Sequence, residues 1–385
     1  MRSRTLSRYS TVAATVLSAT LLPLSAAHAA DAAPTADDSA PAATQTTIAS
    51  FGRIADAVLT DRTAALLDRP QLARTARKSQ GNVRLSPAAS RAESTSLASV
   101  QDTRARLAVL GEAYSDADTK TTVDSTRVEG RKATVRVTEA TTLTYEKIRG
   151  DEPPTTGFTA HHELTFTAQT DGTWQLVSVR RTDKGPRAIN EPVPATSTAP
   201  VRPSAIIDAP RAATTYPAPA KPKNLGTGTT YNYAAMATYA EKYWKNYNTA
   251  YRRFNSAGGD CTNYISQSLY AGGWKHDTTS TEDYDTWWYG TSSQSDTWIG
   301  VNEWSWFTQT AKRTTALANA YQMDIGDVLQ VDFDKDGAKD HTMITSYRST
   351  SGVPYLTYHD TDTYRRSLSS LLSSYPNSAY YAYRT

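Results

Sequence analysis

GGDCTNYISQSLYAGG, residues 258–273, holds the single cysteine of a 385-residue chain, and the architecture of the C-terminal half turns on it. Cys261, Tyr264, Ile265, Ser268 and Leu269 recur at i, i+3, i+4, i+7 and i+8. That spacing predicts a helix with one apolar face. Gly272-Gly273 supplies the stop,. Asp260 is placed to cap the helix, which puts Cys261 in the first turn. Unpaired backbone N–H groups and the helix dipole there favour a thiolate. Beside a histidine, such a thiol can fall to a pKa of roughly 3.5–7.5. The competing reading is a small buried cysteine filling a core position.

Working outward, Met236, Tyr239, Tyr243, Tyr247 and Tyr251 recur at threes and fours, predicting a long helix over 231–254,. Asn255 to Gly259 punctuate its end. Downstream, MDIGDVLQVDFDKDGAKDHTMITSYRSTSG (323–352) reads as a β-hairpin with strands over 328–332 and 341–347,. His341 opens the second strand, whereas His276 lies in a polar loop. A cysteine at a helix start facing a histidine on a packed sheet is the arrangement of papain-like thiol hydrolases. If the next turn centres on Thr350, antiparallel pairing sets His341 opposite His359, which would then orient the imidazole. A one-residue slip presents Asp360 or Tyr358 instead, and an ordinary strand histidine is the plain alternative.

These stretches, with YLTYHDTDTYRRSL (355–368), resemble the amidase domain of secreted Gram-positive proteins, a domain similar to NlpC-type and CHAP-type cell-wall peptidases and amidases. The resemblance covers about 227–385. It implies an α+β, papain-like fold with helices packed on an antiparallel sheet. It also implies Cys261 as nucleophile, His341 as general base and hydrolysis of an amide in cell-wall peptide or peptidoglycan. No metal or cofactor is expected. The other function class is an inactive module of the same fold gripping wall polymer through a Trp/Tyr-rich surface. Asp260, Trp287 and Trp288 are the candidate substrate contacts, the tryptophans as a sugar-stacking groove or as packing.

The remainder is organised by composition. Arg2, Arg4 and Arg8 precede an apolar run ending Ala27-His28-Ala29, the layout of a signal peptide over 1–30,. A secreted product follows, with no membrane span in the mature chain. In an exported protein an unpaired cysteine is an intermolecular link or a reactive thiol. Residues 31–47 read as disordered. Residues 48–185 read as a small α+β domain: a helical pattern from Ile48, then alternating strands with Asp171-Gly172 as a hairpin turn,. The element order is that of a cystatin-like roll. His161 and His162 are adjacent, so on a strand they face opposite ways, both partly exposed. Residues 186–226, rich in Pro, Ala and Thr, read as a linker crossed by few contacts. The net charge of +3 gives no nucleic-acid footprint,. Asp332, Asp334, Asp336 and Gly337 mimic the first half of a calcium loop, but Met343 stands where its twelfth-position Glu belongs, so a solvated turn is expected, with a calcium site as the alternative,.

Overall fold

Thr44 starts the first helix: its hydroxyl accepts from the Thr47 amide at 3.2 Å, and α1 runs Gln45–Ala64,. The computed structural model describes residues 43–67, 79–193, 208–226, 230–278 and 284–385. The signal-peptide reading and most of 31–47 lie outside them, though α1 begins three residues before the expected Ile48. Next come β1 (Ser79–Gln80), β2 (Val83–Leu85) and α2 (Pro87–Val109). The meander β3 (Tyr114–Glu129), β4 (Lys132–Tyr145), β5 (Thr155–Ala168) and β6 (Trp174–Arg181) follows. Alternation along β4 puts Val135 and Val137 inward, where they meet Phe51, Ile54 and Val58 of α1,. Gly172, at φ +78°, makes the expected turn between β5 and β6,.

The C-terminal half contains α3 (Tyr233–Tyr243), α4 (Cys261–Ala271), α5 (Asp296–Ile299), α6 (Val301–Thr310) and β7 (Thr315–Ala316). It closes with β8 (Val328–Asp332), β9 (His341–Arg348), β10 (Pro354–Tyr358), β11 (Thr363–Ser367), α7 (Leu368–Ser374) and β12 (Ala379–Arg384). Its strands pair antiparallel in the order β11-β10-β9-β8-β12-β7. The fold is α+β, and its sheet is mixed because β2 and β6 run parallel. Among the described residues no helix is long and apolar enough to cross a membrane.

Three expectations are corrected. The helix expected over 231–254 ends at Tyr243. A continuing helix would bond the Tyr243 carbonyl to the amide of residue 247, but that carbonyl instead meets His359 Nε2 at 2.8 Å,. The chain turns away and lays Tyr247 on the His359 ring. Second, the two halves are joined. β5 pairs with β11 at Phe158 and Gly157, and one core cluster mixes Leu107, Tyr145, Ala188 and Ile189 with Val353 and Tyr355. Parts of the proline-rich stretch are bound as well: Ala188 and Ile189 are buried, and Ala212 donates to the Tyr380 carbonyl at 2.7 Å. Third, His162 is buried, its Nε2 2.9 Å from Glu139, while His161 stays partly exposed beside Asp183.

Candidate active site

Helix α4 is buried throughout its first nine residues, not on one face alone. Tyr264, Ile265 and Leu269 enter the apolar core. The other side is satisfied by polar pairs: Thr262 with Thr342 at 2.9 Å, and Ser266 donating to the Trp298 carbonyl at 2.8 Å. This packing fixes Cys261 at the helix start. Strand β9 begins with His341, paired with Val331 of β8 and nearly fully buried. Pairing of β9 with β10 passes from Tyr355↔Tyr347 to Leu356↔Thr345 across an irregularity. Continued past β10, that register sets Asp360, not His359, beside His341. The chain turns there, with φ +60° at Asp360 and +73° at Thr361.

Cys261, His341 and Asp360 thus converge: Sγ, a ring nitrogen and a carboxylate oxygen all lie within 4.8 Å of one another. They border a cavity of about 230 Å³, with Gly259 and Gly300 beside them and Lys184 and Gly185 closing one wall. Asp360 holds the helix start. Its Oδ2 accepts from the amides of Asp260 (2.6 Å) and Cys261 (3.0 Å), and Oδ1 accepts from Asn255 at 3.0 Å. Gly259, at φ +142°, admits that carboxylate, because a Cβ there would stand 2.7 Å from Oδ2,.

The electrostatics differ from the sequence expectation of a lowered thiol. Burial, followed by the Asp360 charge, pushes Cys261 up to about 12,. Burial, followed by the charges of Arg181 and His359, pushes His341 down to about 3. The helix N-terminus does attract an anion, but Asp360 supplies it. Thiol and imidazole are therefore both neutral in this state. His341 Nε2 is buried without a hydrogen-bond partner among the described residues.

Residues 230–383 match the family model described as "Putative amidase domain". The uncharacterized protein YhbB of Bacillus subtilis (strain 168) is similar, at 29% identity over 162 residues, 37% of this chain and 50% of the relative. The chain thus spans about half the length of the curated relative it matches. The crystal structure of the intermembrane space region of chloroplast protein ARC6 matches 36% of this chain and 96% of its own at 17% identity. Its TM-score is 0.23.

Within the matched stretch, the other expected residues lie elsewhere. His359 stacks between Tyr247 and Tyr264, each ring centroid 3.8 Å away. Its Nδ1 is 2.8 Å from Asp260 Oδ2 and its Nε2 2.8 Å from the Tyr243 carbonyl, so neither nitrogen is left for His341. Both partners are acceptors, which requires a doubly protonated ring. Burial opposes that charge, but Asp260, Asp362 and the Tyr243 carbonyl outweigh it, and the pKa is raised. Asp260 occupies the N-cap position without capping by its side chain. Besides His359, its carboxylate accepts from the Phe254 amide at 2.9 Å and from Asn263 at 3.0 Å. Trp287 is wholly buried, its Nε1 donating to Ser266 at 3.1 Å, so it is core and not a stacking surface; Trp288 is half-buried. The sequence reading missed Asp360 on the helix amides and the wall made by Lys184 and Gly185. The Asp next to His359 signalled the first. Nothing in the sequence signalled the second.

Proposed function

We propose that the amidase domain hydrolyses an amide bond with Cys261 as nucleophile and His341 as proton carrier. The observation that supports this most is the convergence of Sγ, imidazole and carboxylate within 4.8 Å on one cavity, at the start of a buried helix. In this reading the domain is papain-like, and the N-terminal half is a cystatin-like roll of helix on meander.

The substrate carbonyl oxygen takes over the amides of Asp260 and Cys261, displacing the Asp360 carboxylate. The freed carboxylate then faces His341 and stabilises the imidazolium formed as the thiol gives up its proton. Sulfur bonds to the carbonyl carbon, and the developing oxyanion rests on the two amides. His341 delivers its proton to the departing amine. Water, deprotonated by His341, cleaves the thioester, releasing a carboxylate and restoring the thiol. Asp360 thus has two positions: on the amides at rest and beside the imidazolium in turnover. The role expected of His359 passes to Asp360.

The substrate we propose is cell-wall peptide or peptidoglycan, met outside the cell after export. The amidase family and the leader-like N-terminal sequence support this. The inactive wall-binding alternative loses ground because Trp287, Trp298 and Trp304 are all buried. Digestion of purified peptidoglycan by the full chain and its Cys261→Ala variant, with mass analysis of the soluble fragments, tests the reading. Paired new amine and carboxyl ends from the wild type alone are expected. No wild-type fragments would refute the substrate, and equal release by both proteins would refute the nucleophile.

A further inference from the structure

The turn between β8 and β9 contains a feature that amide hydrolysis does not use. Asp332, Asp334 and Asp340 bring a carboxylate oxygen each to within 4.8 Å of one another. A solvated turn would leave these groups to water, as Asp334 and Asp340 are. Asp332 is different: it is wholly buried, and its Oδ1 has no hydrogen-bond partner among the described residues. Its Oδ2 accepts from the Gly337 amide at 3.1 Å, and the nearest cation, the half-exposed Arg211, stands 3.9 Å from that same oxygen. Lys339 is turned to Asp208 instead. A buried carboxylate oxygen without a donor is costly unless something cationic meets it.

The backbone is arranged to keep the three oxygens together. Lys335 at φ +63° and Gly337 at φ +91° curl the turn. Asp340 Oδ2 accepts from the Phe333 amide at 2.7 Å, and Asp334 Oδ1 accepts from the Asp336 amide at 3.2 Å. Counted from Asp332, these carboxylates occupy positions one, three and nine of a calcium-loop pattern, with Gly337 at six,. The missing twelfth-position Glu also finds an explanation. That position is Met343, already inside β9 and fully buried, so the returning chain offers Asp340 before the strand begins.

We propose that this turn binds one calcium ion through Asp332, Asp334 and Asp340. All donors are hard oxygens on a partly open turn, which suits the larger and geometrically tolerant cation over magnesium. Asp340 precedes His341 and lines the candidate-site cavity, so the ion would also fix the start of β9. The site is independent of the hydrolase reading and can be measured in the Cys261→Ala chain.

The test is calorimetric titration of the EDTA-stripped full chain with calcium chloride or magnesium chloride, together with thermal melts. One calcium per chain with a Kd of about 10⁻⁵ to 10⁻³ M is expected. At ten times Kd the folded-to-unfolded ratio should rise about elevenfold. Asp334→Asn, at an exposed position, should not lower the metal-free melting temperature, since it removes one of three mutually repelling charges, and should weaken calcium binding about tenfold or more,. No saturable heat and no melting shift up to about 10 mM calcium would overturn the proposal. So would equal affinity for magnesium, or an Asp334→Asn chain that binds like the wild type.

Discussion

Replacing Asp360 by Asn should make the thiol more reactive and the enzyme slower. Asn keeps an acceptor for the amides of Asp260 and Cys261 but removes the negative charge. That charge lies within 4.8 Å of Sγ. With an effective dielectric constant of about 20, it disfavours the thiolate by about 3 kcal/mol. Converted at 1.36 kcal/mol per tenfold, the variant should hold roughly a hundredfold more thiolate at neutral pH. Because the chain has one cysteine, the iodoacetamide rate followed by intact mass reports this thiol alone,. Alkylation should accelerate by about that factor, while turnover falls about tenfold or more because the imidazolium loses its carboxylate. An alkylation rate within twofold of wild type would refute the electrostatic account. Unimpaired turnover would remove Asp360 from the reaction.

Gly185→Ala should destabilise the chain by about 1–3 kcal/mol in urea melts and alter alkylation of Cys261, since its Cβ would overlap the Asp360 carbonyl oxygen,. Wild-type stability should fall as pH rises above His359's ordinary 6.5, because its folded pKa is raised: the stabilisation is complete below 6.5 and lost through the folded value,. In His359→Gln that slope should flatten, as urea melts across the range would show. A fragment from residue 208 onward should be much less stable than the full chain and self-associate in sedimentation, because it exposes Val353, Tyr355 and the edge of β11,. A fragment as stable as the full chain would contradict the shared core.

The helix at Cys261 and the hairpin opening on His341 were legible because both rest on local patterns, a 3.6-residue period and alternation around a polar turn. Residue 359 against 360 was not, since one irregularity between Tyr355 and Leu356 shifts the register and no local signal marks it. The helix end at Tyr243 was hidden for a related reason: the atom that takes its carbonyl belongs to His359, far along the chain. Position at a helix start suggested a lowered thiol, but the sequence did not reveal that Asp360 already sits on the amides. The joining of the two halves through β5 and β11 was likewise invisible, because the proline-rich composition of 186–226 describes the connection and not the surfaces it brings together.

The central claim is that Cys261 is the nucleophile, and a titration of that thiol against activity tests it most directly. The full chain is alkylated to graded extents, and each sample is assayed for release of new amino termini from peptidoglycan and weighed intact. Residual activity should fall in proportion to the unlabelled fraction and vanish when every molecule carries one adduct on Cys261. Activity that persists in fully alkylated protein would contradict the account.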